Sequence, residues 1–179
     1  KVIETKDGIT TYNVADNGAP WFGIAVNSKN KLLQIYESSS DSFYIQSIIN
    51  TVKRELPDIA LVGLTTASGN SSSWNESNGT LCSFLFFDET SFTVHHFDCT
   101  NEDPFSVGDI IGEELLRTDD AKGALVFGAG HSLAISDFFT AVSSYESHIP
   151  FFGMMASVKD MTNVSSVPYI FSDELYNYG

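Results

Sequence analysis

The sequence predicts an α/β domain, a mixed β-sheet with helices packed on it, central buried strands and antiparallel hairpins. Three observations predict it. The runs Ile59-Ala60-Leu61-Val62-Gly63, Ala124-Leu125-Val126-Phe127-Gly128 and Pro150-Phe151-Phe152-Gly153-Met154-Met155 are apolar at consecutive positions. A strand apolar on both faces belongs inside a sheet covered by helices. Three other stretches carry apolar residues at helical spacing. Short apolar segments in pairs, at 81–97 and 169–176, read as hairpins. The order strand, helix, strand, antiparallel pair, helix, strand, helix, strand, hairpin gives a mixed sheet.

Residues 8–14 and 21–26 read as short strands separated by the turn-rich Ala15-Asp16-Asn17-Gly18-Ala19-Pro20. Residues 27–31 form a polar turn, and Leu32-Leu33-Gln34-Ile35-Tyr36 is a strand. Ser38-Ser39-Ser40-Asp41 offers helix N-caps, since a short side-chain oxygen accepts from free backbone N–H groups. Ile45, Ile48, Ile49, Val52 and Leu56 then form a helical stripe that Pro57 ends. After the strand at 59–63, residues 65–79 are rich in Ser, Asn, Gly and Thr and hold Trp74. A loop that long in a compact domain is often functional, and this one is expected to order when a ligand binds. Residues 81–87 and 92–97 read as a hairpin turning at Asp88-Glu89-Thr90-Ser91.

Asp103-Pro104 starts a second helix, with Val107, Ile110, Ile111 and Leu115 on one face. The strand at 124–128 follows. Ser132 or Ser136 caps a third helix, whose stripe is Phe138, Phe139, Val142 and Tyr145. The strand at 150–155 and a hairpin of 169–171 with 175–176 close the order.

Composition bounds the function. A chain of 179 residues makes one ordinary domain and buries about 70% of its unfolded surface without a staple. An apolar fraction of 42%, with 14 Phe, argues against disorder. The net charge is −14, from 23 acidic and 9 basic residues. Nucleic-acid binding needs clustered Lys and Arg, which are lacking, and anionic membrane would repel this surface. No apolar run of membrane-spanning length and no signal peptide is visible. With two cysteines, Cys82 and Cys99, reduced thiols in a cytoplasmic protein are the expectation. Asn-x-Ser/Thr triplets at Asn70, Asn75, Asn78 and Asn163 are weak evidence for secretion in so Asn- and Ser-rich a chain. The chain begins at Lys1 and stops just after a strand-like segment, so flanking domains are expected.

Each of the three apolar strands runs into small or polar residues: Gly63-Leu64-Thr65-Thr66-Ala67-Ser68-Gly69-Asn70, Gly128-Ala129-Gly130-His131-Ser132 and Gly153-Met154-Met155-Ala156-Ser157. Glycines permit close backbone approach, and hydroxyls and free N–H groups offer donors to a carboxylate. The second loop leads into a helix N-terminus, which favours negative charge. Ligands in open α/β sheets collect at the carboxyl ends of strands.

From Leu32 onward the chain resembles the N-terminal module of the FIST family, sensory domains of bacterial signalling proteins and of some eukaryotic F-box proteins. The family pattern Gly-x-Ser-Thr-Ala-Gly-Glu is similar to residues 63–70, with one inserted residue and Asn70 near the usual Glu. The pattern Pro, two apolar residues, Gly-Gly, apolar, Ala resembles Pro150-Phe151-Phe152-Gly153-Met154-Met155-Ala156, with Met154 at the second Gly. An aromatic strand and terminal hairpin follow, as at 169–179. The resemblance implies residues 32–179 as the sensory domain and 1–31 as an N-terminal extension. It also implies a small ligand, an amino acid or derivative, and an output signalling domain in the same polypeptide. Candidate ligand-binding residues are Thr65, Thr66, Ser68 and Asn70 for side-chain hydrogen bonds, Gly128, Gly130 and Gly153 for backbone approach, and His131, Met155 and Ala156 on the rim.

Three rivals stand beside this reading. A hydrolase needs a nucleophile held beside a base. The chain has no Gly-x-Ser-x-Gly elbow, adjacent His131-Ser132 point apart, and internal Thr65 or Ser68 lacks an activating terminal amine, so a non-enzyme is expected. For a metal, His95-His96 on a strand would face opposite ways, and no Cys-x-x-Cys or His-x-x-x-His spacing exists. A haem held by one axial His is the remaining option there, and no cofactor is expected. A protein–protein interaction module without a small ligand would use surface acids and exposed aromatics.

Overall fold

A computed structural model describes residues 2–6, 9–14, 30–67, 80–87, 89–99, 103–118, 120–129, 135–145, 149–159 and 166–177. Its elements are β1 (Val2–Lys6), β2 (Ile9–Val14), β3 (Asn30–Glu37), α1 (Ser42–Glu55), β4 (Ala60–Thr65), β5 (Thr80–Phe87), α2 (Pro104–Arg117), β6 (Ala124–Gly128), α3 (Ile135–Ser143), β7 (Phe151–Met155), β8 (Ile170–Phe171) and β9 (Leu175–Tyr176). Seven strands form one mixed sheet in the order β1-β2-β5-β3-β4-β8-β9. β3 and β4 are parallel, joined through α1, and their other pairings are antiparallel. β6 and β7 pair in parallel as a separate two-stranded sheet.

Helix α1 forms where its stripe predicts. Asp41 is the N-cap, accepting from the N–H groups of Phe43 (2.9 Å) and Tyr44 (3.2 Å). The helix stops at Leu56, one residue before Pro57. Its buried Ile45, Ile49 and Val52 pack on Leu33, Ile35, Leu61, Cys82, Phe84 and Phe171 of the sheet. Each such side chain, fully buried, contributes about 1.5–3 kcal/mol. On the opposite sheet face, Leu64 and Ile170, with Tyr36 and Tyr176, meet Phe127, Met154, Ala129 and Ala156 of the β6–β7 region. The other side of that ribbon, through Val126 and Phe151, packs on α2 and α3 at Val107, Phe138 and Val142. The order is therefore helix, sheet, ribbon, helix pair.

Four expectations are corrected. Residues 92–97 form no strand, and β5 finds its antiparallel partners in β2 and β3 instead. The N-terminal strand at 9–14 is thus integral to the main sheet, and β1 extends it. The strands at 124–128 and 150–155 are not interior to the main sheet: Leu125 is 45% and Phe152 65% exposed. The buried side of α2 runs through Val107, Gly108 and Gly112, whereas Ile110 is exposed. Glycine is required because a Cβ at Gly108 would overlap the Phe138 carbonyl and lie 2.9 Å from the Ala141 Cβ. Asp103 caps α2 with Pro104 at its first turn, as expected. Ser136 lies inside α3 and caps nothing. Ser132 and the strand expected at 21–26 lie outside the described residues. Neither cysteine is in a disulfide.

Candidate functional site

The carboxyl ends of β3, β4, β6 and β7 meet, and Thr65 is their joint. Its N–H donates to the Tyr169 carbonyl (2.8 Å), its carbonyl accepts from the Ser157 N–H (2.9 Å), and its hydroxyl accepts from the Tyr169 N–H (2.9 Å). The Ser157 hydroxyl accepts in turn from the Ala67 N–H (2.9 Å). The Ala156 N–H donates to the Gly128 carbonyl (2.7 Å), which ties the exit of β7 to that of β6. The Thr66 N–H donates to the Glu37 carbonyl (2.8 Å), which ties the exit of β4 to that of β3.

Of the ten candidate residues, Thr65, Thr66, Gly128, Met155 and Ala156 come together here. Thr65 and Thr66 are buried, and Ala156 also packs against the Leu64, Ala129 and Ile170 cluster. Met155 pairs with Gly128 across the ribbon. Gly153 lies farther back, within β7, opposite Val126. Its φ is +155° and a Cβ would run into the Val126 carbonyl, so its lack of a side chain serves strand pairing. Gly63, at the head of the first loop, serves packing in the same way: a Cβ would overlap the Phe171 ring. Ser68, Asn70, Gly130 and His131 lie outside the described residues, as does Trp74.

The structure adds residues that the sequence reading did not single out. Glu37, the last residue of β3, is 1% exposed. Its Oε1 accepts from the Ser39 N–H (2.7 Å) and its Oε2 from the Thr80 hydroxyl. Thr80 opens β5 and pairs with Glu37 in register. Strand parity carried the signal. Glu37 follows Leu33 and Ile35 at intervals of two, and Thr80 precedes Cys82 and Phe84 the same way, so both lie on the face that α1 covers. Burial first, and then the neighbouring Glu37, push the Cys82 thiol well above its ordinary range. Burial also raises Tyr36, on the opposite face.

Chemically, the arrangement offers backbone amides and hydroxyls gathered at strand ends beside one buried carboxylate. The Thr65 hydroxyl is held by backbone, not by a base. His96 stacks on Tyr176 with ring centroids 3.6 Å apart. Among the described residues no group of three or more His, Cys, Asp or Glu is placed to hold a metal ion, and no helix is long and apolar enough to cross a membrane.

The family model described as FIST N domain matches residues 31–177. No curated protein and no solved structure matches the chain.

Proposed function

The chain belongs to the FIST N domain family, the signal-transduction sensory domains, and from that premise we propose that it binds a small molecule, an amino acid or derivative, at the joined ends of β4, β6 and β7 and regulates an attached output domain. The observation that supports this most is the meeting of those three exits around Thr65, Gly128 and Ala156. In a layered α/β fold, strand carboxyl ends are where ligands collect. The proposed role is non-enzymatic and cytoplasmic, and requires only that the ligand favour one of two conformations.

A thermal-shift screen of L-amino acids, short peptides and nucleotides tests the reading. A cognate ligand at 100 times its Kd stabilises the native state by about 2.7 kcal/mol. Thr66→Ala combined with Ser68→Ala should remove most of that shift, read against the double variant's own unliganded Tm. A flat screen overturns the reading.

One observation favours a second reading, a protein interaction module. Leu125 and Phe152 are register partners, and both are exposed on the ribbon. Neighbouring exposed apolar side chains of this size mark contact surfaces when they extend into a patch. Loss of partner binding in Leu125→Ser with Phe152→Ser, with an unchanged ligand response, would separate the two readings.

A further inference from the structure

We propose that Glu37 is a positioning residue that couples the end of β4 and the start of β5 to the start of α1, so that a change at this edge of the sheet is carried into the helix. This rests on the sensory reading for its purpose, though not for its geometry.

An unbroken chain of hydrogen bonds supports it. The Thr80 hydroxyl, at the start of β5, donates to Glu37 Oε2. The Thr66 N–H, just past β4, donates to the Glu37 carbonyl (2.8 Å). Glu37 Oε1 accepts from the Ser39 N–H (2.7 Å). The Ser39 hydroxyl accepts from the Asp41 N–H (3.1 Å), and Asp41 caps α1 through the N–H groups of Phe43 and Tyr44. At the far end of the helix, Lys53 reaches the Asp173 carbonyl (2.8 Å) in the turn between β8 and β9. Through its side chain and its carbonyl, one buried residue thus touches the start of β5, the exit of β4 and the approach to α1.

The residue type fits a link better than a core filler. A carboxylate buried to this degree incurs a desolvation cost that an apolar side chain would avoid. Both oxygens have partners, Oε1 in the Ser39 N–H and Oε2 in the Thr80 hydroxyl, which an apolar side chain could not engage. The two oxygens are held by different segments, so a shift of Thr80 turns the carboxylate against Ser39.

Hydrogen exchange measured by NMR on the full 179-residue chain tests the coupling. Thr80→Val removes a hydroxyl that touches neither Ser39 nor α1. It should nevertheless speed exchange at Ser39, Phe43 and Tyr44 about tenfold relative to the core amides of Leu33 and Ile49. Glu37→Ala should do the same or more, and adding Thr80→Val to it should change nothing further at those amides. Glu37→Gln should restore a large part of the protection lost in Glu37→Ala, because its amide can accept from Ser39 and donate to a rotated Thr80 hydroxyl. Should Thr80→Val not fold, Thr80→Ala takes its place. Wild-type exchange at Ser39, Phe43 and Tyr44 in the Thr80 variant, or additive effects of the two substitutions, overturns the inference. The wild-type protein is screened in parallel with the twenty L-amino acids. Intact coupling with no amino-acid response overturns the ligand reading alone. An amino-acid response without coupling overturns this inference alone.

Discussion

At the scale of single residues, position decides whether a polar group is a cap, a joint or a buried charge. Asp41 is exposed and satisfies two backbone donors at the head of α1. Asp41→Ala should therefore lower unfolding free energy by about 1 kcal/mol in urea titrations, the ordinary worth of an N-cap. Cys82 and Cys99 differ in the same positional way. Cys82 is fully buried and its thiol is held neutral by burial and by Glu37, whereas Cys99 is half-buried. A disulfide-exchange reagent should react with Cys99 well before Cys82, and the labelling order read by mass spectrometry checks this. The raised Cys82 pKa also gives stability a pH slope. Below the ordinary thiol range both states carry the proton and the pH dependence vanishes. From about pH 8.5 upward the unfolded chain loses it first, so native stability falls as pH rises toward the folded value. Cys82→Ala should flatten that alkaline limb; an unchanged slope would assign it to other groups. Strand parity marks the face on which Glu37 and Thr80 each lie, but not that they are partners, because nothing local says which strand lies beside β3.

At the scale of elements, the helices follow from local signals and the strand pairings do not. The cap Asp41, the stripe through Ile45, Ile49 and Val52, and the stop at Pro57 all lie within one short stretch of chain, and α1 takes those bounds. The antiparallel partner expected for β5 at 92–97 is absent because β2 and β3 occupy both of its edges. A sheet edge has one place per side, and competition for it is not a local property. The α2–α3 pair shows a second non-local decision. Both glycines of α2 face α3, but their surroundings differ. Gly108 faces the backbone of Phe138, which cannot retreat without moving α3. Gly112 faces a side chain instead of backbone, the Tyr145 ring just past the last residue of α3, whose hydroxyl is bonded to Asp109. Gly108→Ala should thus destabilise by about 1–3 kcal/mol through overpacking. For Gly112→Ala, the helix-propensity gain of about 1 kcal/mol should offset most of the cost. Thermal melts of the two variants check the ordering, and equal losses would contradict it.

At the scale of the whole molecule, net charge and layering set behaviour. The ion pairs among the described residues have side chains between 44% and 81% exposed, so each contributes little. Self-repulsion from a net charge of −14 is the larger electrostatic effect. Raising NaCl from about 20 mM to about 500 mM should therefore raise Tm, since screening weakens repulsion between exposed charges over a Debye length. A falling Tm would mean that the exposed pairs matter more than the repulsion. The sequence by itself determined the α/β class, the helices with most of their caps, the closing hairpin and the apolar runs that end at the candidate site, because each depends on residues a few positions apart. Tertiary structure alone decided that β2 joins the main sheet, that β6 and β7 stand apart as a ribbon, and that Thr65 is bound to Tyr169 and Ser157, about a hundred positions away in the chain. Those outcomes depend on which surfaces compete for the same edge or face, and that competition is settled only when all the layers are packed at once.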